Sequence, residues 1–392
     1  MRRAENQDRR ASSLACVFAF WGLSLAGCGG DSSPEEQTIS LEEQAQSKAA
    51  ALAFEASLEE TERLVRERMP ASSYVDQTLM PKIEDLSTAP EFDEVVKLRV
   101  GAPWVFNDET APWYIGQELG YFREAGLEIE LVEGGPGRNP FTLLLGGQLD
   151  IAVSAYFSLV PTVRTSPTGG DVVVINAVLK NTPAGVLAID HSIPQDQRSD
   201  WKLKPEDMRN KVLGVQAGSD RHAAIYLQAS GIPEESVEVI RVGNSPEALM
   251  SGRVDFMLAW IVNQPRILEA NGFKNWAFFL VSDYYYTSPS DVSVVLREML
   301  ESRPDVVYRY NWALLKSVRY LLEHSDDAAE ITARYIPDAG LDLEQIKWRF
   351  DLQRSLIEGT NPEDLLMIDV AELDKVVAYN IQAGTVEMPP EN

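Results

Sequence analysis

One phrase occurs twice in this chain and limits its fold more than any other feature. Gly146-Gly147-Gln148-Leu149-Asp150-Ile151-Ala152-Val153-Ser154 is echoed by Ser251-Gly252-Arg253-Val254-Asp255-Phe256-Met257-Leu258-Ala259-Trp260. Each copy ends a helix at Gly, turns through Asp and starts an apolar strand. Glycine tolerates the left-handed conformation that stops a helix. Four or more consecutive apolar residues suit a strand covered on both faces. Two copies imply two similar α/β lobes, and a chain of two such lobes usually holds a ligand between them.

The 392 residues are enough for two domains of ordinary size. A formal charge of −25 argues against nucleic acid as a partner, since little here would neutralise phosphates. It says little about a small ligand, which meets local charge.

The N-terminus reads as a targeting segment. Arg2, Arg3, Arg9 and Arg10 precede an apolar run, Ala15 to Leu25, that is too short for a good membrane span. The run ends in Leu25-Ala26-Gly27-Cys28, a string that resembles a bacterial lipobox. That resemblance implies a signal peptide over 1–27, cleavage before Cys28 and lipid attachment to its thiol. Cys16 then leaves with the signal, so no disulfide and no catalytic or metal-binding cysteine is expected.

Residues 28–95 form an acidic region. Over 31–95 there are 16 acidic and 5 basic residues. A tether rich in Gly, Ser and Pro leads to Ser40, an N-cap with Glu43 three residues on. A helix running to Met69 is expected, as a spacer, with an imperfect stripe of Leu52, Phe54, Leu58, Thr61 and Val65. From Val96 strands and helices alternate, which predicts α/β lobes, each a mainly parallel sheet flanked by helices. The expected boundaries are lobe 1 at 96–187, lobe 2 at 188–282, and a return to lobe 1 with C-terminal helices at 283–392.

In open α/β sheets ligands lie beyond the carboxyl ends of the strands. The residues at those ends fall into two types. Trp104, Trp113, Tyr114, Tyr156 and Trp260 offer aromatic faces for a planar ring, and Asn107, Asn139, Ser154, Asn181, Gly218, Ser219 and Asp220 offer polar groups to orient it. Helix N-termini at Asn139 and Ser219 present free N–H groups. Each residue also has a plainer reading: Trp113 as core, Asn139 as only a cap. Tyr284-Tyr285-Tyr286 falls where the chain crosses between lobes. No cluster has metal-ligand spacing, and no cofactor is expected.

Residues from about 98 to 325 resemble periplasmic solute-binding proteins of the nitrate/sulfonate/taurine and thiamine-precursor group. The phrases that carry the likeness are Ala111-Pro112-Trp113-Tyr114-Ile115-Gly116-Gln117-Glu118-Leu119-Gly120-Tyr121-Phe122, Gly126-Leu127-Glu128-Ile129-Glu130, and Val212-Leu213-Gly214-Val215-Gln216-Ala217-Gly218-Ser219, together with the repeated phrase. The resemblance implies a two-lobed periplasmic-binding-protein fold of type II kind, a ligand in the interlobe cleft, a two-stranded hinge, and delivery to an ABC permease and its ATPase. It also implies a lipid-anchored monomer at the periplasmic face of a bacterial membrane. The loop Gly134-Gly135-Pro136-Gly137 and the aromatic first loop resemble the branch that binds thiamine pyrimidine precursors or riboflavin. Members of the thiamine branch often carry His before the Ala-Pro step, where this chain has Glu109-Thr110. A small sulfonate- or nitrate-type anion is the alternative ligand. A ligand-sensing lipoprotein for a membrane receptor is a further alternative, supported by the 31–95 region. A related fungal group uses this fold to make the thiamine pyrimidine, with a cysteine-rich stretch and an active histidine. This chain has neither signature, so a binder rather than an enzyme is expected, although His222 lies close enough to Ser219 to touch a ligand.

Overall fold

The computed structural model describes residues 40–389 apart from 136, 166–170, 218, 338, 339 and 360. The expected signal peptide, Cys28 and the start of the tether lie outside the described residues, as does Gly218. Among the described residues no helix is long and apolar enough to cross a membrane.

Among the described residues ten strands form two five-stranded sheets. In chain order they are β1 (Val96–Gly101), β2 (Leu127–Val132), β3 (Ile151–Ser154), β4 (Val172–Leu179), β5 (Ala184–Ile189), β6 (Lys211–Val215), β7 (Val237–Arg241), β8 (Phe256–Trp260), β9 (Trp276–Leu280) and β10 (Ser290–Leu296). The first sheet runs β2-β1-β3-β10-β4 and the second β7-β6-β8-β5-β9. The two copies of the repeated phrase lead into β3 and β8, each at the centre of its sheet.

Both sheets are mixed, which corrects the expectation of mainly parallel sheets. Pairs β1–β2, β1–β3, β6–β7 and β6–β8 are parallel. β10 runs antiparallel to β3 and β4, and β5 antiparallel to β8 and β9. The physical reason is the route of the chain. β5 and β10 are the strands that enter a lobe from the other one, so they start at the interlobe side, where the parallel strands end. β5 belongs to the second sheet, so the first crossing falls at 180–183, a few residues before the expected boundary at 187. The second crossing follows β9 and spans 281–289.

Among the described residues fourteen α-helices accompany the sheets: α1 (Leu41–Arg68), α2 (Ala111–Glu118), α3 (Tyr121–Glu124), α4 (Pro140–Leu145), α5 (Tyr156–Thr165), α6 (Asp220–Ala229), α7 (Glu247–Met250), α8 (Gln264–Ala270), α9 (Val281–Tyr284), α10 (Arg297–Ser302), α11 (Pro304–Glu323), α12 (Ser325–Tyr335), α13 (Leu343–Glu358) and α14 (Val370–Gln382). Gly120, at φ +79°, separates α2 from α3. The C-terminal region carries α10 to α14, and Asp342 caps α13 by accepting from the Gln345 N–H.

α1 does more than space. It buries Leu58, Thr61 and Val65 on one face, and Phe54 packs on Tyr379 of α14. Gln382 of α14 donates to the Thr61 hydroxyl at 2.7 Å. Its N-terminal half meets the second lobe, where the Arg209 guanidinium donates to the Ser47 hydroxyl at 2.7 Å and to the Gly231 carbonyl at 2.9 Å. Gly231 sits at φ +62°, and a Cβ there would fall 2.0 Å from the Ser47 carbonyl oxygen.

Gly231→Ala is therefore expected to lift residues 44–55 from the second lobe. The left-handed backbone alone costs about 1–2 kcal/mol for a residue with a Cβ. Hydrogen exchange should show faster exchange over 44–55 and unchanged protection around Val65. Unchanged exchange over 44–55 would show that this contact does not hold the helix.

Candidate functional site

The ends of β1, β3 and β8 and the start of β10 surround one cavity of about 550 Å³. From the first lobe it is lined by Trp104, Asn107 and Glu109 after β1, by Gly135, Gly137, Arg138, Asn139 and Pro140 after β2, and by Ser154, Ala155 and Ser158 after β3. The second lobe contributes Asn244, Trp260, Asn263 and Gln264, and the start of β10 contributes Ser290 and Asp291. A volume of this size suits a small organic molecule.

The loops that carry these groups are held from within. Gly134 donates its N–H to the Trp104 carbonyl at 3.1 Å. A Cβ at Gly134 would meet the Ala102 carbonyl oxygen at 2.6 Å, so glycine allows the two loops to touch. The Asn139 side chain accepts from the N–H groups of Phe141 and Thr142 at 2.9 and 3.2 Å, capping α4. Cap and cleft roles therefore coexist in Asn139, because the cap occupies Oδ1 alone. Asn107 accepts likewise from the Glu109 N–H at 2.8 Å. Gln264 accepts from the Trp260 N–H at 2.8 Å and donates to the Asn244 carbonyl at 3.1 Å, fixing the second-lobe wall.

Trp104, Asn107, Asn139, Ser154 and Trp260 are thus brought together on the cavity wall. Ser219 lies beside it, in a smaller space of about 70 Å³ shared with Phe157, His222 and Trp260. His222 sits edge-on to the Phe157 ring at 5.6 Å, and burial pushes its imidazole pKa down. The remaining expected residues lie elsewhere. Trp113 is buried with its indole N–H donating to the Tyr310 hydroxyl at 2.9 Å. Tyr114 is buried and stacks on Tyr335 at 4.8 Å. Tyr156 is buried, with its hydroxyl 2.8 Å from that of Tyr74. All three start a helix, and its first turn points their rings into the core rather than over the strand end. Asn181 donates to the Ser282 hydroxyl, tying the two interlobe crossings together. Asp220 faces outward and pairs with Arg241 at 3.1 Å.

The cleft holds groups that strand-end reasoning missed: Glu109, Arg138, Asn244, Asn263, Gln264, Ser290 and Asp291. Asp291 had a signal in the sequence, a carboxylate inside the otherwise uncharged run Ser290 to Leu296. It is 4% exposed and takes a left-handed φ of +49°. Among the described residues no hydrogen bond or ion pair reaches its carboxylate. The neighbouring Ser290 hydroxyl is buried and also lacks a partner. Burial pushes the Asp291 carboxyl well above the ordinary carboxylate range, and the charges of Glu109 and Asp108 add to this. Glu109 is raised too, by burial first, with Arg349 opposing and Asp108 adding. Asp108 itself is fully buried behind the cleft wall, 2.8 Å from Arg349 Nε and hydrogen-bonded by Gln353 at 2.8 Å.

Residues 107–328 match the family described as NMT1/THI5 like. The chain belongs to the NMT1/THI5-like family. Among its relatives is a Haemophilus influenzae protein named for thiamine biosynthesis, 23% identical over 268 residues, or 67% of this chain and 81% of the relative. The riboflavin-binding protein RibY of Chloroflexus aurantiacus is 24% identical over 161 residues, 40% of this chain and 43% of RibY. Two solved structures share the fold: the periplasmic aliphatic sulphonate binding protein SsuA of Escherichia coli and a periplasmic sulfonate-binding SsuA of Methylobacillus flagellatus. The first has a TM-score of 0.52 at 16% identity, covering 67% of this chain and 84% of SsuA. The second has a TM-score of 0.53 at 15% identity, covering 75% and 89%. This NMT1/THI5-like chain therefore has the two-lobed α/β fold of periplasmic binding proteins, as its sequence implied.

The buried carboxyl has a consequence for stability. A folded pKa above the unfolded value means that the native state keeps a proton the unfolded chain releases. Asp291 then favours folding below its unfolded pKa of about 4, and that contribution is lost as pH rises through its folded value. Asp291→Asn should therefore raise the stability of the ligand-free protein more at pH near 8 than at pH near 5, as read from urea unfolding. Asparagine also tolerates the left-handed backbone. Equal or reversed effects at the two pH values would show that the carboxylate is not under strain.

Proposed function

We propose that this protein captures a small planar heteroaromatic solute between its lobes and delivers it to an ABC importer. The observation that carries the reading is that Trp104 and Trp260, from different lobes, line the same cavity. Closure of two lobes over a ring lets an indole from each side contribute face area, and the asparagine and serine groups fix its orientation. The relatives named for thiamine biosynthesis and riboflavin binding support a ring system of that kind. The lipobox-like Leu25-Ala26-Gly27-Cys28 supports tethering at the periplasmic membrane face, near a permease and its ATPase.

Thermal-shift screening of aminopyrimidine thiamine precursors, flavins, taurine and nitrate tests the reading, because a ligand that binds only the native state raises its stability by mass action. At least one aromatic compound should give a clear shift. Shifts with taurine or nitrate alone would overturn the proposal. Trp260→Ala should weaken the aromatic ligand by about tenfold or more while the fold persists. Tyr156→Phe should lower stability by about 1 kcal/mol, through its lost hydrogen bond, and leave affinity unchanged. The opposite pattern would move the site away from Trp260.

A further inference from the structure

Two covalent crossings join the lobes, at 180–183 and 281–289. Crossings alone leave two lobes free to rotate about the line through them. A third connection is made by α1 and α14, which both lie outside the family-matched residues 107–328. We propose that these two helices form a strap between the lobes that limits how far the cleft opens. This rests on the two-lobed fold alone and is independent of which solute the cleft takes.

The strap is fixed to the first lobe. Just before α14 the Leu366 carbonyl accepts from the Ala177 N–H of β4 at 3.0 Å. The Ala71 N–H, beyond the end of α1, donates to Asp374 of α14 at 2.8 Å. Both helices then reach α6 of the second lobe, one at each of its ends. At the C-terminal end the Arg209 guanidinium joins the Ser47 hydroxyl of α1 to the Gly231 carbonyl, and the Gly231 backbone lies directly against the Ser47 carbonyl. At the N-terminal end the Arg221 guanidinium donates to the Gly384 carbonyl, in the turn after α14. α6 also begins at the cleft. Ser219 precedes it and His222 lies in its first turn, and both share the small space next to Trp260. A displacement of α6 is therefore a displacement of the cleft wall.

The lever is long enough to matter. Ser47 and Thr61 are 14 residues apart on one helix, about 21 Å at the usual rise. A rotation of about 10° about the Thr61 end would carry Ser47 through about 4 Å, further than a hydrogen bond stretches. The rod itself is stiff. Its Ser47–Leu58 stretch is rich in alanine, and Arg63 pairs with Glu60 at 2.6 Å and with Glu67 at 2.5 Å along its outer face. The first-lobe end buries Leu58 and Val65. The α6 end is held through Arg209 and Arg221, so substituting these two arginines separates the strap from the second lobe and leaves the buried end intact.

Double electron–electron resonance on the full-length chain, with no solute added, tests this. Cys16→Ser and Cys28→Ser remove the native thiols. Glu128→Cys and Glu238→Cys then place one spin label at an exposed position on the edge strand of each sheet. With the strap intact the label-to-label distances should form one narrow distribution. Arg209→Ala with Arg221→Ala should make that distribution about twofold wider or more, as more open arrangements become populated. Hydrogen exchange over 44–55 should quicken in the same variant. Ser47→Ala, which keeps the helix, and Gly231→Ala act on the same contact and should each widen the distribution by a smaller amount; they carry the test if the double variant does not fold. Arg63→Ala, on the outer face of α1, should leave the distribution as it was. A distribution that is already as wide with the strap intact overturns the proposal. So does one that stays narrow in the double variant, Ser47→Ala and Gly231→Ala alike, or one that widens without faster exchange over 44–55. Binding or its absence in the thermal-shift screen changes none of these outcomes, so the strap and the solute reading stand or fall separately.

Discussion

Each sheet is completed by a strand that arrives from the opposite lobe, and the rest of the structure depends on that exchange. β10 enters between β3 and β4, and β5 between β8 and β9. Neither sheet is continuous without its visitor, so the lobes stay joined whatever angle they adopt. The registers then place the ligand cavity. Val292 pairs with Ser154 and Ala184 pairs with Trp260, so each visiting strand begins where a resident strand ends. The cavity groups Ser154, Ser290, Asp291 and Trp260 therefore gather at the crossings themselves. The crossings are bound to each other through Asn181 and Ser282. Tyrosines fill the return: Tyr285 stacks on Tyr226 at 4.6 Å, and Tyr286 shares hydroxyl contact with Tyr226 at 3.0 Å and packs on Tyr379 at 4.7 Å. The tyrosine triplet at this crossing is thus divided. Tyr284 is exposed, and the other two are buried.

Two kinds of buried carboxyl meet at this cavity, Asp108 behind its wall and Asp291 on its lining. Asp108 is wholly buried, but Arg349 and Gln353 surround it, and its place before α2 puts negative charge at a helix start. It can hold the first loop in position. Asp291 has the same burial and none of that support. A protein selected for stability alone would have little reason to retain an unpaired acid in a left-handed conformation inside a sheet. The contrast is one of position: Asp291 lines the cavity and Asp108 stands behind its wall.

The repeated Gly-x-[Leu/Val]-Asp phrase was legible because turn and strand chemistry are local. It located the central resident strands β3 and β8, and through them Ser154 and Trp260. The visiting strands were less legible. β5 reads as an apolar run with no helix before it, and nothing local says which sheet receives it. β10 begins with Ser290 and Asp291, whose polarity hides a strand start. The aromatic candidates divided for a geometrical reason. Trp104 and Trp260 lie on a loop and at a strand end, where side chains reach the cleft. Trp113, Tyr114 and Tyr156 lie in the first turns of α2 and α5, where burial against the sheet outweighs proximity to the strand end. Glu109 was visible as the residue in place of a familial histidine, but its meaning depends on Asp291, about 180 positions away in the chain. Long-range pairing of that kind has no periodic signature.

The N-terminal helix adds a constraint that the family-matched residues do not contain, since α1 ends before residue 107. Its 28 residues extend about 42 Å at the usual helical rise. One end rests on the second lobe through Ser47, Arg209 and Gly231. The other is fixed to the first-lobe side through Thr61, Val65 and the Arg66–Asp374 pair. A rigid rod with both ends attached resists relative rotation of the bodies it joins. The two attachments are unequal. At the second-lobe end the Arg209–Ser47 hydrogen bond and the close approach of Gly231 hold the helix, whereas the far end buries Leu58, Thr61 and Val65 and is fastened to α14. A change of angle between the lobes would therefore strain either the Ser47 contact or the contacts beyond Leu58.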